Sequence, residues 1–243
     1  FYKNSKSTLS PKILASFSPF KSENLSNLDR QINITNLFSN NRLGLTDSLE
    51  GGQSLTFGLD YELLNKDNDK YFESSFGQIF RDKNDPKLPL SSTMQNKSSN
   101  IFGQLKFTPN KNFEINYDFA ADNNLDTINL NLIESKFQVN NLITTFEFLE
   151  ENNEIGKDSY FSNDIKYKFN NSNSIQYNTR RNRRTDLTEY YNLIYEYQND
   201  CLVAAIEYNK DYYEDRDIKP NEEIFFSLTI TPFTSIESPN FSK

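Results

Sequence analysis

The segment Leu55–Leu63, LTFGLDYEL, decides the fold. Leu55, Phe57, Leu59, Tyr61 and Leu63 alternate with Thr56, Gly58, Asp60 and Glu62. Side chains of a strand point alternately to its two faces, so this segment has one apolar face and one polar face. The same period continues along the chain. Ile101, Leu105 and Phe107 alternate with Gln104, Lys106 and Thr108, and Phe113, Ile115, Tyr117 and Phe119 with Glu114, Asn116 and Asp118. Ile128, Leu130 and Leu132 follow, then Leu142, Thr144, Phe146 and Phe148, then Ile165, Tyr167 and Phe169 against Asp164, Lys166 and Lys168. Ile175–Thr179, Leu187–Tyr197, Leu202–Tyr208 and Ile224–Ile230 complete the series. With the weaker runs Pro11–Ser18 and Tyr71–Phe80, the pattern predicts about twelve strands and no helix with an apolar stripe.

Connection length alternates too. Asn65–Lys70, Pro109–Asn112, Ser135–Asn140, Asn170–Ser174 and Gln198–Asp200 are short. Pro19–Glu50, Arg81–Asn100, Glu150–Tyr160, Arg180–Asp186 and Asp211–Asn221 are mostly longer and more charged, with a tight turn near Ala121–Asn124 as the exception. Short turns on one side and long loops on the other are the organisation of outer-membrane barrels. The runs reach about 8–12 residues, enough to cross a bilayer at a tilt. The expected fold is therefore all-β, an antiparallel up-and-down transmembrane barrel, with a secreted sandwich or solenoid as the alternative. Phe57, Tyr117, Phe146, Tyr167 and Ile206 are expected to face lipid, and Asp60, Glu62, Glu114, Asp118 and Lys166 the lumen.

Composition narrows the chemistry. The 243 residues include no His and one Cys. That excludes His-based acid/base catalysis, His-ligated metals, thiolate zinc sites and an internal disulfide. The barrel enzymes of outer membranes lean on a catalytic His, so no catalytic residue, cofactor or metal is assigned. The pairs Asp60/Glu62 and Glu114/Asp118 share strand faces, as a solvated lumen requires. A net charge of −8 argues against nucleic acid. Aromatic residues make up 14% of the chain although only 35% is hydrophobic, which suits strands with one apolar face and does not suit disorder. The chain opens at Phe1 without a signal peptide and reads as a mature chain or a fragment.

Two features leave alternatives open. Arg180, Arg181, Arg183 and Arg184 fall on an expected loop, either simply solvated or touching phosphates of a surface glycolipid. Cys201 falls at a short turn, either as a small apolar residue opening a strand or as a thiol whose partner lies outside the chain.

Several segments resemble the LPS-assembly protein (LptD) family, in the C-terminal part of its outer-membrane barrel. They are Thr35–Leu63 (TNLFSNNRLGLTDSLEGGQSLTFGLDYEL), Phe76–Asp82 (FGQIFRD), Leu105–Asp122, Glu189–Tyr212 and Glu222–Ile236. Cys201-Leu202 stands where the family often has adjacent cysteines, and Thr231-Pro232 where it usually has Gly. The resemblance implies that residues 1–243 are a C-terminal portion of a larger barrel whose periplasmic domain is absent. It implies transport of lipopolysaccharide into the outer leaflet, with an LptE-like lipoprotein plug and a periplasmic LptA-like bridge as partners. Sugars would cross a polar lumen while acyl chains leave sideways between the first and last strands. Ile224, Phe226, Leu228 and Ile230 would then form one lip of that gate, Pro232 would limit pairing at its end, and Cys201 would bond to the N-terminal region. A general porin and a secreted β-rich adhesion protein are the competing functions.

Overall fold

The computed structural model describes residues 5–28, 30–44, 50–66, 69–152, 155–212, 220–230, 234–237 and 241–242. Among them are twelve long strands: β1 (Lys6–Ser18), β2 (Gly52–Leu64), β3 (Lys70–Arg81), β4 (Ile101–Asn110), β5 (Phe113–Ala121), β6 (Ile128–Val139), β7 (Leu142–Glu151), β8 (Ser159–Lys168), β9 (Asn173–Asn182), β10 (Leu187–Gln198), β11 (Leu202–Asp211) and β12 (Asn221–Ile230). Two short strands that alternation did not announce follow, β13 (Thr234–Glu237) and β14 (Phe241–Ser242). Strand order follows sequence order from β1 to β13, and β14 pairs with β12. The helix content is one 3-10 turn, Leu90–Ser92, among the described residues.

The chain divides into two compact units, Phe1–Ile133 with Leu149–Asp158, and Glu134–Phe148 with Ser159–Lys243. In the first, register puts Ala15, Leu55 and Phe80 in one row and Pro11, Leu59 and Phe76 in another, on the apolar face. This face is bare: Phe57 is 43% exposed, Ile13 68% and Phe17 71%. Phe119 lies across Gly103 on the neighbouring strand, its Cζ 2.3 Å from where a Cβ would sit. The ring thus fills the gap that the glycine leaves.

The core lies on the opposite, polar face. Thr56, Ile79, Phe102 and Ala120 are buried there. They sit beneath Leu25, Ile32, Leu37, Leu43, Leu88 and Met94 from residues 19–51 and 82–100. These segments, expected only as longer and more charged connections, carry much of the core. Water-soluble sandwiches bury their alternating apolar residues; here those residues are left outside.

In the second unit, Ile165, Tyr177, Leu193, Tyr208 and Ile224 form one cross-strand row, and Tyr167, Ile175, Tyr195, Ile206 and Phe226 the next. Tyr167, Ile206 and Phe226 are exposed. The intervening residues are mostly amides and charges.

Three expectations need correction. Arg180 and Arg181 are not in a loop: β9 runs to Asn182, because both arginines pair with β8 and β10. The connection 183–186 is therefore as short as 169–172, and the alternation of loop length lapses there. In β6, where the apolar set was expected outside, Leu130 packs against the core, while Asn129 is buried and Asn131 accepts a bond from the Tyr117 hydroxyl at 2.7 Å, so the strand does not divide cleanly into an apolar and a polar face.

Candidate functional site: the polar face and its loop cover

Near the short turns, the polar face of the first unit is wet and ion-paired. Lys12 pairs with Asp60 across β1 and β2. Lys70 bridges Glu62 at 3.0 Å and Glu73 at 2.6 Å. Lys106 reaches Glu114 at 3.2 Å, and Asn116 donates to Asp118 at 3.1 Å. The expected lumen residues of this unit thus lie on one face, each beside a partner. They form no metal site: no group of three acidic or thiol ligands occurs among the described residues.

Toward the long connections the same face is sealed. Gly58 and Gly77 pair across β2 and β3. A Cβ on Gly58 would meet the Phe38 ring at 2.4 Å, and one on Gly77 would meet Leu37 Cδ2 at 2.3 Å. The paired glycines form the seat on which the Leu37-Phe38 segment rests.

Ionic groups pin that segment. Arg42 contacts Glu50 at 3.3 Å and donates to Ser54 Oγ at 2.7 Å. Arg81 pairs with Glu50 and donates to the Gly51 carbonyl at 2.6 Å. Both guanidinium side chains are 2% exposed. Burial pulls the Arg42 pKa below its ordinary value; Glu50 opposes the shift and Arg81 adds to it. Ser22 donates to Asp85 at 2.6 Å, tying residues 19–51 to 82–100. At the far side, Gln31 donates to Glu151 and to the Ile155 carbonyl, both at 3.1 Å, bringing in residues 152–158. Sequence reading quoted Asn36-Leu37-Phe38, Arg42, Glu50 and Gly58 in one segment. It missed that they meet, because their contacts run between loop and sheet rather than along a strand.

A family model described as LPS transport system D matches residues 1–159. The chain belongs to the LptD family. No curated protein matches it. LptD proteins insert lipopolysaccharide into the outer membrane of Gram-negative bacteria and are transporters, not enzymes. The porin and adhesin readings fall with that assignment. The matched stretch contains the glycine seat, Leu37-Phe38 and the arginine clamp.

The polar face of the second unit carries a hydrogen-bonded amide ladder. Gln176 donates to Asp164 at 2.7 Å, Asn178 to Asn192 at 3.1 Å, and Asn192 to Glu207 at 2.5 Å. Lys166, an expected lumen residue, lies on this face, 3.7 Å from Glu196. Of the residues expected to meet lipid, Phe57, Phe146, Tyr167 and Ile206 are exposed, whereas Tyr117 is half-buried and stacked on Phe119 at 5.5 Å. In β12, Ile224, Phe226 and Ile230 are exposed, and Leu228 half-buried. Cys201 is a free, exposed thiol in the turn before β11. Pro232 lies outside the described residues.

Proposed function

We propose that this chain is the C-terminal part of an LptD barrel wall, with Asp60, Glu62, Glu114, Asp118 and Lys166 in a hydrated path for the sugar portion of lipopolysaccharide. The observation that carries this reading is the reversal of faces: apolar side chains bare outside, polar side chains and packed loops on the other side. An LptE-like lipoprotein would occupy the lumen, and an LptA-like bridge would deliver substrate through a periplasmic domain. Cys201 would join that domain through a disulfide.

In the same reading β12 is one lip of a lateral gate, with Ile224, Phe226, Leu228 and Ile230 toward the departing acyl chains. Among the described residues, the far edge of β12 pairs with β13 at Ser227–Ile230 and with β14 at Glu223–Ile224. The test is a cysteine pair linking β12 to the first strand of the intact barrel. Oxidation should stop lipopolysaccharide reaching the cell surface, and reduction should restore it; unimpaired export by the locked protein would contradict the gate.

A further inference from the structure

One polar row crosses the apolar face of the second unit. Asn163 of β8, Thr179 of β9, Tyr191 of β10, Lys210 of β11 and Glu222 of β12 stand side by side in register. Each lies four residues along its strand from the row Tyr167, Ile175, Tyr195, Ile206 and Phe226, so both rows share one face. The polar groups are bonded along the sheet. Lys210 lies 3.6 Å from Glu222, Glu222 also accepts from the Tyr208 hydroxyl at 3.1 Å, and Asn163 accepts from Thr144 of β7 at 3.3 Å.

A second polar boundary lies toward the short turns. Asn173 stands opposite Tyr197 and accepts from the Tyr195 hydroxyl at 2.6 Å. Asn199 donates to the Tyr197 hydroxyl at 3.3 Å. Asn170 accepts from the backbone amides of Ser172 and Asn173, both at 2.8 Å. Tyrosines with an apolar body and a bonded hydroxyl suit the margin between hydrocarbon and headgroups.

Between these boundaries β9 turns Tyr177 and Ile175 to the apolar face. Thr179 to Asn173 is about 20 Å along a strand, and about 15 Å across a bilayer at the usual tilt. On β11 the band reaches further, through Ile206 and Ala204 to Leu202. The outward apolar band of a bacterial barrel is ordinarily ~25 Å tall. A charge on the lipid side is costly at mid-bilayer and nearly free at the interface. An ordinary hydrocarbon layer would draw in either Lys210 with Glu222 or Asn173 with the turn beneath it. Thinning the layer to fit is a modest cost for each ångström.

We propose that β8–β12 hold the bilayer thin, against a hydrocarbon layer about 15 Å deep at β9, with the row Asn163 to Glu222 as its rim away from the short turns. The proposal rests on the lipid-facing reading of this surface and adds to it a depth and two fixed boundaries. It is independent of the lateral gate.

The test uses full-length protein in vesicles of di-C12 and of di-C18:1 phosphatidylcholine. Single spin labels stand at Arg181, Thr179, Tyr177, Ile175 and Asn173, and collisions with oxygen and with a water-soluble nickel chelate are compared. The oxygen-to-chelate ratio should rise severalfold from Thr179 to Tyr177 and fall again at Asn173, at the same residues in both lipids. Oxygen preference at Thr179 or Asn173 in the thicker bilayer would overturn the proposal while leaving the lipid-facing reading intact. Chelate preference at Tyr177 and Ile175, or protection there from both reagents by a covering protein, would overturn both. In a second variant, T179V/K210L/E222L, the boundary should climb to Arg181 in di-C18:1 vesicles; a folded variant whose boundary stays at Thr179 would contradict the role of the polar row. Heat-modifiability on gels verifies folding, and the β9 profile of the unaltered row decides if the triple variant fails to fold.

Discussion

The ring of Phe38 rests on the backbone of Gly58, its Cζ 2.4 Å from where a Cβ would lie. Leu37 rests in the same way on Gly77, the cross-strand partner of Gly58. Two adjacent loop residues and two paired glycines thus form one contact, closing one end of the polar face.

Replacing either glycine by valine should lift the loop. Overpacking of this kind costs about 1–3 kcal/mol. Gly58→Val and Gly77→Val should expose residues 19–44 to trypsin and sensitise cells to bulky antibiotics. Gly103→Val, which collides with Phe119 on the opposite face, should weaken the wall without making that segment cleavable.

Glu50 is the shared anion of two buried arginines. Glu50→Gln leaves both guanidinium groups poorly compensated, at a cost of about 3–5 kcal/mol to loop docking. Limited proteolysis of this variant should resemble that of Gly58→Val. Adding Arg42→Leu should recover part of the loss, because the remaining arginine keeps its bonds to Gly51 and Asp85.

Cys201 is an exposed thiol in the turn before β11. If it is bridged, full-length protein should run differently on non-reducing gels before and after reduction. Cys201→Ser should abolish that difference while leaving heat-modifiability of the barrel intact.

Phe226→Arg should cost about 2–4 kcal/mol of barrel stability, whereas Ser227→Arg, on the other face, should cost no more than about 1 kcal/mol. Denaturant titration in lipid vesicles checks the pair. Equal costs would count against a lipid-facing side.

Much of the fold was legible because period two is a local signal. The alternation in Leu55–Leu63 and Phe113–Phe119 marks the strands and separates their faces without any tertiary information. The loop cover was not legible. Leu25, Leu37 and Met94 occur in segments rich in charge and Asn, with no period to expose them, and only the folded sheet shows that they meet Ile79 and Phe102. The arginine group failed for a different reason. A strand rich in Arg, Asn and Thr carries little apolar alternation, so β9 looked as though it ended before Arg180. In β6 the leucines and asparagines alternate as read, but Leu130 packs against the core and Asn129 is buried as well, so the pattern there does not assign the faces.

The central claim is that the exposed apolar face meets lipid while its opposite meets water. Spin labels at Ile206 and Tyr167, and at their neighbours Glu207 and Lys166, test it directly in reconstituted full-length protein. Labels at Ile206 and Tyr167 should collide mainly with oxygen, which concentrates in the bilayer, and labels at Glu207 and Lys166 mainly with a water-soluble nickel chelate. The same collision preference on both faces, or the reverse preference, would contradict it.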